Sequence, residues 1–322
     1  MRIIWVLAIL LIIVILTTSA YYAYYIRVPK CQGSYSWSSD TLYDMLYSDK
    51  CVPPGWEDFF NQTTTQSILK SISDSLQKLT QTSNPYHLDP TLGSVFAALQ
   101  TTTLSDLKVL ILGQDPAPEP GLATGYAFDV PNDPESVPTM GRIMMELYRE
   151  GYCTTVDTGN TIPWADQGVL LLNSALTLQC DEPGPGCKYD TPGSNSVLWQ
   201  PFTAALLTYI SSKASPSAFI LWGSAAQYFS KYIDASKHKV LEGGHPSPAA
   251  TWEDFFCRAY FYDTNQFLAT IGRGPVDWNL CSCSGTKDPV SMVCSACSDD
   301  CQITSSDEVD GLYYSDVVKQ CD

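Results

Sequence analysis

The stretch Leu107–Phe128, LKVLILGQDPAPEPGLATGYAF, puts a carboxylate where a buried strand ends. Its opening run, Val109-Leu110-Ile111-Leu112, is too short for a helix and apolar enough for a strand covered on both faces. The run stops at Gly113 and delivers Gln114, Asp115 and Pro116 into a turn. Three more stretches share this grammar. Gly168–Leu172 runs into Asn173, Ala218–Trp222 into Gly223-Ser224, and His238–Leu241 into Gly243-Gly244-His245-Pro246-Ser247-Pro248. Helix-like segments alternate with these runs, which predicts an α/β fold on a parallel sheet. Such sheets bind ligands outside the carboxyl ends of their strands. Asp115, Asn173, Ser224 and His245 are therefore expected on one edge. Each also has a plainer use: Asp115 as a turn cap, Asn173 holding loop backbone, and His245, one of three histidines, as a structural residue.

Helical spacing of apolar residues marks Trp56–Leu79, Gly141–Glu150, Trp199–Ser211, Ala225–Ile233 and Thr251–Leu268. Phe96 and Leu99 are expected to pack the first of these on the sheet. Gln179–Ser196 is rich in Pro, Gly and Asp and reads as a loop, closed by Cys180 and Cys187.

The chain has 322 residues and a formal net charge of -16, from 18 Lys+Arg against 34 Asp+Glu. That discounts generic nucleic-acid affinity, which rests on clustered cations, without excluding a local basic groove. Residues 3–20 are almost wholly apolar and are followed by Tyr21, Tyr22, Tyr24 and Tyr25, the pattern of a membrane span with an aromatic belt. A cleaved signal ending at Thr18-Ser19-Ala20 is the less favoured alternative. All twelve cysteines follow this segment, an even count that suits disulfides in an oxidising space. Near the end, Cys281, Cys283, Cys294, Cys297 and Cys301 crowd a polar stretch. CxC followed by CxxC is also a zinc-ligand spacing, but no histidine is near and the leader favours disulfides. The expected organisation is an anchor over 1–26, a connector over 27–54, a globular domain over 55–280 and a Cys-rich tail over 281–322.

From about Gly55 to Leu280 the chain resembles the uracil-DNA glycosylases of the main, ung-type family. Trp56-Glu57-Asp58-Phe59-Phe60 looks like that family's opening helix and LKVLILGQDP like its catalytic strand and water-activating loop. The likeness continues through Gly125-Tyr126-Ala127-Phe128, Trp164–Asn173, Leu221-Trp222-Gly223-Ser224 and His245-Pro246-Ser247-Pro248. It implies a central four-stranded parallel sheet flanked by helices. It also implies hydrolysis of the bond between uracil and deoxyribose on a flipped nucleotide. By resemblance Asp115 orients the attacking water and stabilises the sugar cation, and His245 donates to the oxyanion on the base. Asn173 reads the uracil edge, Phe128 stacks on the ring and Gln114 contributes its backbone, while Ser224 and Ser247 meet the DNA backbone. No metal or cofactor is implied.

The departures fall elsewhere. Ala117 and Pro118 stand where the family carries Tyr and His, so the wall that meets the C5 position of the base is missing. Leu122 and Thr124 replace a Gln and a His, Thr139 replaces a phosphate-pinching Ser, and Ala249 replaces the Leu that fills the gap left by a flipped base. These losses, with the acidity and the leader, favour a membrane-anchored glycosylase fold repurposed as a structural or interaction protein. A minor capsid or virion membrane protein, with its body exoplasmic or inside a particle, fits that reading. The alternative is an active glycosylase for which DNA remains the partner.

Overall fold

The computed structural model describes residues 34–119, 121–130, 138–155, 159–184, 188, 191–298, 303–309 and 311–321. The expected anchor, the Val137 position and Cys31, Cys187 and Cys301 lie outside them. Among the described residues no helix is long and apolar enough to cross a membrane.

Helices α1 (Leu42–Tyr47), α2 (Glu57–Phe60) and α3 (Thr63–Thr80) come first, followed by the short strand β1 (Leu88–Asp89) and α4 (Ala97–Thr101). The expected helix over Trp56–Leu79 is thus two helices, because Gln62 adopts an extended conformation between them. Strand β2 (Val109–Gly113) is followed by α5 (Pro138–Arg149), α6 (Ile162–Ala165), β3 (Val169–Asn173) and β4 (Leu178–Gln179). Then come α7 (Ser196–Lys213), β5 (Ala218–Trp222), α8 (Gly223–Gln227), β6 (Lys239–Gly243) and α9 (Tyr260–Thr270). A small hairpin, β7 (Glu308–Val309) with β8 (Leu312–Tyr313), leads into α10 (Tyr314–Cys321).

The main sheet has the order β3-β2-β5-β6 and every pairing is parallel. Every residue of β2, β3 and β5 is buried, as continuous apolar runs require, while β6 is a half-buried edge. In this register Gly113 stands beside Asn173, and Trp222 beside Gly243, so the strand ends fall level with one another. Phe59, Phe60, Phe96, Trp199 and Phe202 interlock edge to face, and so do Trp164, Trp222, Tyr260, Phe261 and Trp278. Each of those rings is at most 1 % exposed, and burying one such side chain contributes about 2 kcal/mol.

The expected helix over Thr251–Leu268 is broken. Cys257 and Ala259 have φ values of 66° and 52°, and α9 starts only at Tyr260. Two carboxylates, one on α5 and one directly after it, impose the break. Glu146, fully buried and gripped by Arg149 at 2.7 and 2.8 Å, accepts the N–H groups of Cys257 and Arg258. Glu150 accepts those of Phe261 and Tyr262 at 3.0 and 2.7 Å, satisfying the first turn of α9.

The Cys-rich end is held to the body instead of trailing from it. Ile303, Val309, Leu312 and Val317 are buried in the same core as the sheet. Disulfides join Cys153–Cys297, Cys257–Cys321 and Cys283–Cys294, pairings that the sequence left open, and the expected Cys180–Cys187 closure lies outside the described residues. Cys51 and Cys180 are disulfide-bonded as well.

Candidate active site

The strand ends open on a cavity of about 330 Å³. Gln114, Asp115, Phe128, His245 and Ser247 all line it, together with Pro116, Ala117, Pro118, Thr139 and Ala249. Of the four residues expected together on one edge, Asp115 and His245 line this cavity, whereas Asn173 and Ser224 are not among its lining residues.

Asp115 is held from three directions. Ser174 N–H donates to the Gly113 carbonyl, and Ala175 N–H and the Ser174 hydroxyl both donate to the Gln114 carbonyl, pinning the turn after β2 to the end of β3. The N–H of Gly193 donates to the Asp115 carboxylate, and the Gln114 side chain also bonds it. Burial pushes the Asp115 carboxyl above the ordinary aspartate range, and those two donors pull it partly back.

His245 is fixed by its neighbour. Ser247 N–H donates to His245 Nδ1 at 3.0 Å, so Nδ1 is an acceptor and the ring proton of the neutral form sits on Nε2. Burial lowers the His245 pKa, which keeps the ring neutral at neutral pH. A neutral imidazole with a defined N–H is a hydrogen-bond donor of fixed direction. Gly223, at φ +83°, makes room for it: a Cβ there would lie 2.9 Å from His245 Cβ.

Phe128 adopts a left-handed conformation, φ 64°, which costs a non-glycine residue roughly 1–2 kcal/mol. The neighbouring carboxylate maintains it. Asp129 is 3 % exposed and accepts both the N–H and the hydroxyl of Thr161, and Ala127 N–H bonds the Leu171 carbonyl. The Phe128 ring then lies edge to face on Trp222 at 5.2 Å and 6.3 Å from the His245 ring.

Asn173 is buried beneath this ring. A Cβ on Gly113 would stand 2.5 Å from Asn173 Oδ1 and 3.2 Å from Phe128, so the amide and the ring flank the bare backbone of Gly113. Ser224 is exposed on α8 and does not line the cavity, whereas Ser247 does.

Four further residues escaped the sequence reading. Gly113 and Gly193 were legible only as turn glycines, the latter in a Pro192-Gly193 pair within a loop. Asp129 carried no pattern of its own. Arg142, 5 % exposed on α5, donates to the Ser247 carbonyl at 3.2 Å and so steadies the His245 loop from below. A cation on an otherwise apolar helical face was its one signal.

At the rim, Ala117, Pro118, Ala249 and Ala250 are short, and no Lys or Arg lines the cavity among the described residues.

The carboxyl edge of the parallel sheet thus brings a carboxylate, a neutral imidazole and an aromatic ring to one cavity, with a buried amide beside them. The family model of the uracil DNA glycosylase superfamily matches residues 100–269. A Lactococcus lactis uracil-DNA glycosylase is 36% identical over 209 residues, 63% of this chain and 90% of the relative. One from Streptococcus suis is 38% identical over 194 residues, 59% of this chain and 82% of the relative. The crystal structure of mimivirus uracil-DNA glycosylase superposes with a TM-score of 0.60 at 22% identity, covering 77% of this chain and 95% of that one. The chain belongs to the uracil DNA glycosylase superfamily. These relatives support the enzymatic alternative over the structural role that the trimmed rim suggested.

Proposed function

We propose that this chain hydrolyses the N-glycosidic bond of uracil in DNA. The observation that carries the reading is the Ser247 N–H bond to His245 Nδ1, which leaves a neutral Nε2–H donor at the same cavity as the Asp115 carboxylate. The base stacks on Phe128 and the Asn173 amide, with both donors and an acceptor, reads its edge. As the C1′–N bond lengthens, positive charge grows on the sugar and negative charge on the base. His245 stabilises the second and Asp115 the first, both held in place before the reaction. Water adds its hydroxyl to C1′, its proton leaves to Asp115 or solvent, and uracil departs with the bonding pair.

The rim supports a substrate whose base is already unstacked. Extruding a base from a duplex costs a few kcal/mol. Small side chains at Ala249 and Ala250 leave little to occupy the vacated stack, and among the described residues no cation for phosphates lines the cavity. Single-stranded DNA is the favoured form, with wider tolerance at the C5 position opposite Ala117. Anchorage by residues 1–26, in a membrane or a particle, belongs to the same proposal and rests on the apolar leader alone.

Incubation of the purified chain with uracil-containing single- and double-stranded oligonucleotides, scoring abasic sites, tests the reading, with Asp115→Asn as control. Uracil release that vanishes in the control supports it. A folded chain that neither cleaves nor binds DNA sinks it and restores the structural role.

A further inference from the structure

Outside the cavity lining, four cysteine sulfurs meet. Cys153 follows α5 in the body, whereas Cys283, Cys294 and Cys297 come from the C-terminal segment. The sulfurs of Cys153, Cys283 and Cys294 lie within 4.8 Å of one another, and Cys297 is bonded to Cys153. Two disulfides do not by themselves require this gathering, since each needs only its own two ends. One tetrahedral ion does require it: with zinc–sulfur bonds of about 2.3 Å, the sulfurs of a tetrathiolate site stand about 3.8 Å apart.

The backbone around the cluster is a short hairpin. Antiparallel bridges pair Cys283 with Cys297 and Lys287 with Cys294. Ser284 N–H reaches the Ala296 carbonyl at 3.0 Å and Ser295 N–H the Thr286 carbonyl at 2.9 Å. Gly285 is needed here, because a Cβ would lie 2.2 Å from Ser295 Oγ. The hairpin therefore presents Cys283 from one strand and the Cys294-Ser295-Ala296-Cys297 pair from the other. It is docked on the body independently of any sulfur bond. Leu280 N–H and Cys281 N–H bond the Cys153 carbonyl, Cys294 N–H bonds that of Gly151, and Tyr152 Oη donates to Ser291 at 2.8 Å. Asn279 Oδ1 accepts the Cys153 N–H at 2.7 Å, a further tie between this segment and the body.

We propose that Cys153, Cys283, Cys294 and Cys297 bind one zinc ion when reduced, and that the two disulfides are the oxidised form of the same clasp. The interconversion balances. Two equivalents of a dithiol give up four electrons and become two cyclic disulfides, the Cys153–Cys297 and Cys283–Cys294 bonds break, and four thiols form. Zn²⁺ then displaces their four protons. Softness favours this choice, since four thiolates in a tetrahedron suit zinc or iron and not a hard cation. The clasp ties the hairpin to the segment directly after α5, and α5 carries Thr139 to the cavity. The proposal is independent of the glycosylase reading.

The test uses the full chain purified in a dithiol reductant, freed of loose metal and assayed by mass spectrometry for zinc, with circular dichroism to establish folding. One zinc per chain is expected. Cobalt loading should give the visible d–d bands and thiolate-to-metal charge transfer of a tetrathiolate site. Oxidation should release the metal as four thiols disappear. Cys283→Ser and Cys294→Ser should each weaken retention more than tenfold, whereas Cys257→Ser, outside the cluster, should not. A reduced, folded chain that retains no zinc overturns the proposal, and so does equal loss in Cys257→Ser. A reduced chain that unfolds and is not restored by zinc overturns it as well.

Discussion

The floor and the rim of the cavity are built by different rules. The groups at the floor and just behind it are tied to strand ends: Asp115 and Gly113 to β2, Asn173 to β3, and His245 to the loop after β6, where Gly223 and Arg142 fix its place. Each is held by at least one backbone hydrogen bond or by a close approach that only glycine permits. The ties of the rim are local: Ala250 N–H donates to the Ser247 carbonyl at 3.0 Å and Ala249 N–H to the Ser247 hydroxyl at 3.3 Å. Ala117, Pro118, Ala249 and Ala250 are short side chains on loops, and no cation stands among the lining residues described. On the proposed function, the difference makes bond cleavage and nucleic-acid engagement separable here. The sheet specifies the first by its register, while loops that cost little to alter specify the second.

If the floor does the chemistry, its loss should dominate every other change. Asp115→Asn is expected to lower uracil release from single strands by roughly 10²–10⁴-fold, the range for removing a group that handles water in the transition state. Single-turnover kinetics would read this, and a loss below tenfold would move the chemistry away from Asp115. His245→Gln should cost roughly 10²–10³-fold, the scale of one oxyanion donor. Its pH profile sharpens the assignment. Activity needs Asp115 ionised and His245 neutral. The first has a pKa raised above 3.8 and the second a pKa lowered below 6.5, so the acid limb should fall between those values. In His245→Gln only Asp115 shapes that limb, and an unchanged two-proton limb would contradict the role given to His245.

The same division explains what the sequence reveals. Val109–Leu112, Leu170–Leu172 and Ala218–Trp222 are unbroken apolar runs, so the buried strands and the residues just past them were legible. The expected helices over Gly141–Glu150 and Trp199–Ser211 lie within α5 and α7 for the same reason. What stayed hidden depends on contacts distant in the chain. The break at Cys257 and Ala259 is set by Glu146 and Glu150, more than a hundred residues away. Gly193 reaches Asp115 across 78 residues, and Arg142 reaches Ser247 across 105. No local pattern encodes such pairs. The tail misled for a related reason: its few apolar residues are spaced without period, yet they close the core.

Changes at the rim should be smaller and should depend on strandedness. Ala249→Leu adds an apolar wedge at the exposed lip and is expected to raise duplex activity about tenfold, regaining part of the few kcal/mol that unstacking costs, with little effect on single strands. An equal gain on both substrates would show that the side chain acts on something other than base extrusion. Ala117→Tyr should sharpen discrimination against C5-methylated uracil by about tenfold, the usual worth of one methyl group in a fitted pocket. Competition between the two bases in one oligonucleotide would read it.

The smallest effect separates stability from catalysis at Asp115. Burial raises its folded pKa above the unfolded value of 3.8, so the folded state prefers the protonated acid. That contribution is fully present below the unfolded pKa and is lost as pH rises through the folded one. At neutral pH the ionised carboxylate is therefore a liability. Asn keeps the shape and hydrogen-bonding capacity but carries no charge. Asp115→Asn should melt about 2 °C higher than the parent at pH 7, the shift that somewhat under 1 kcal/mol produces in a chain of this size. The gap should close as pH falls below about 4, where both side chains are neutral. Other carboxylates titrate alike in the two proteins and cancel in the difference. A variant that loses activity while gaining stability over this window places Asp115 as a charge held for the reaction and not for the fold. A variant that melts lower at every pH would instead make the carboxylate a structural anchor for the Gly193 loop.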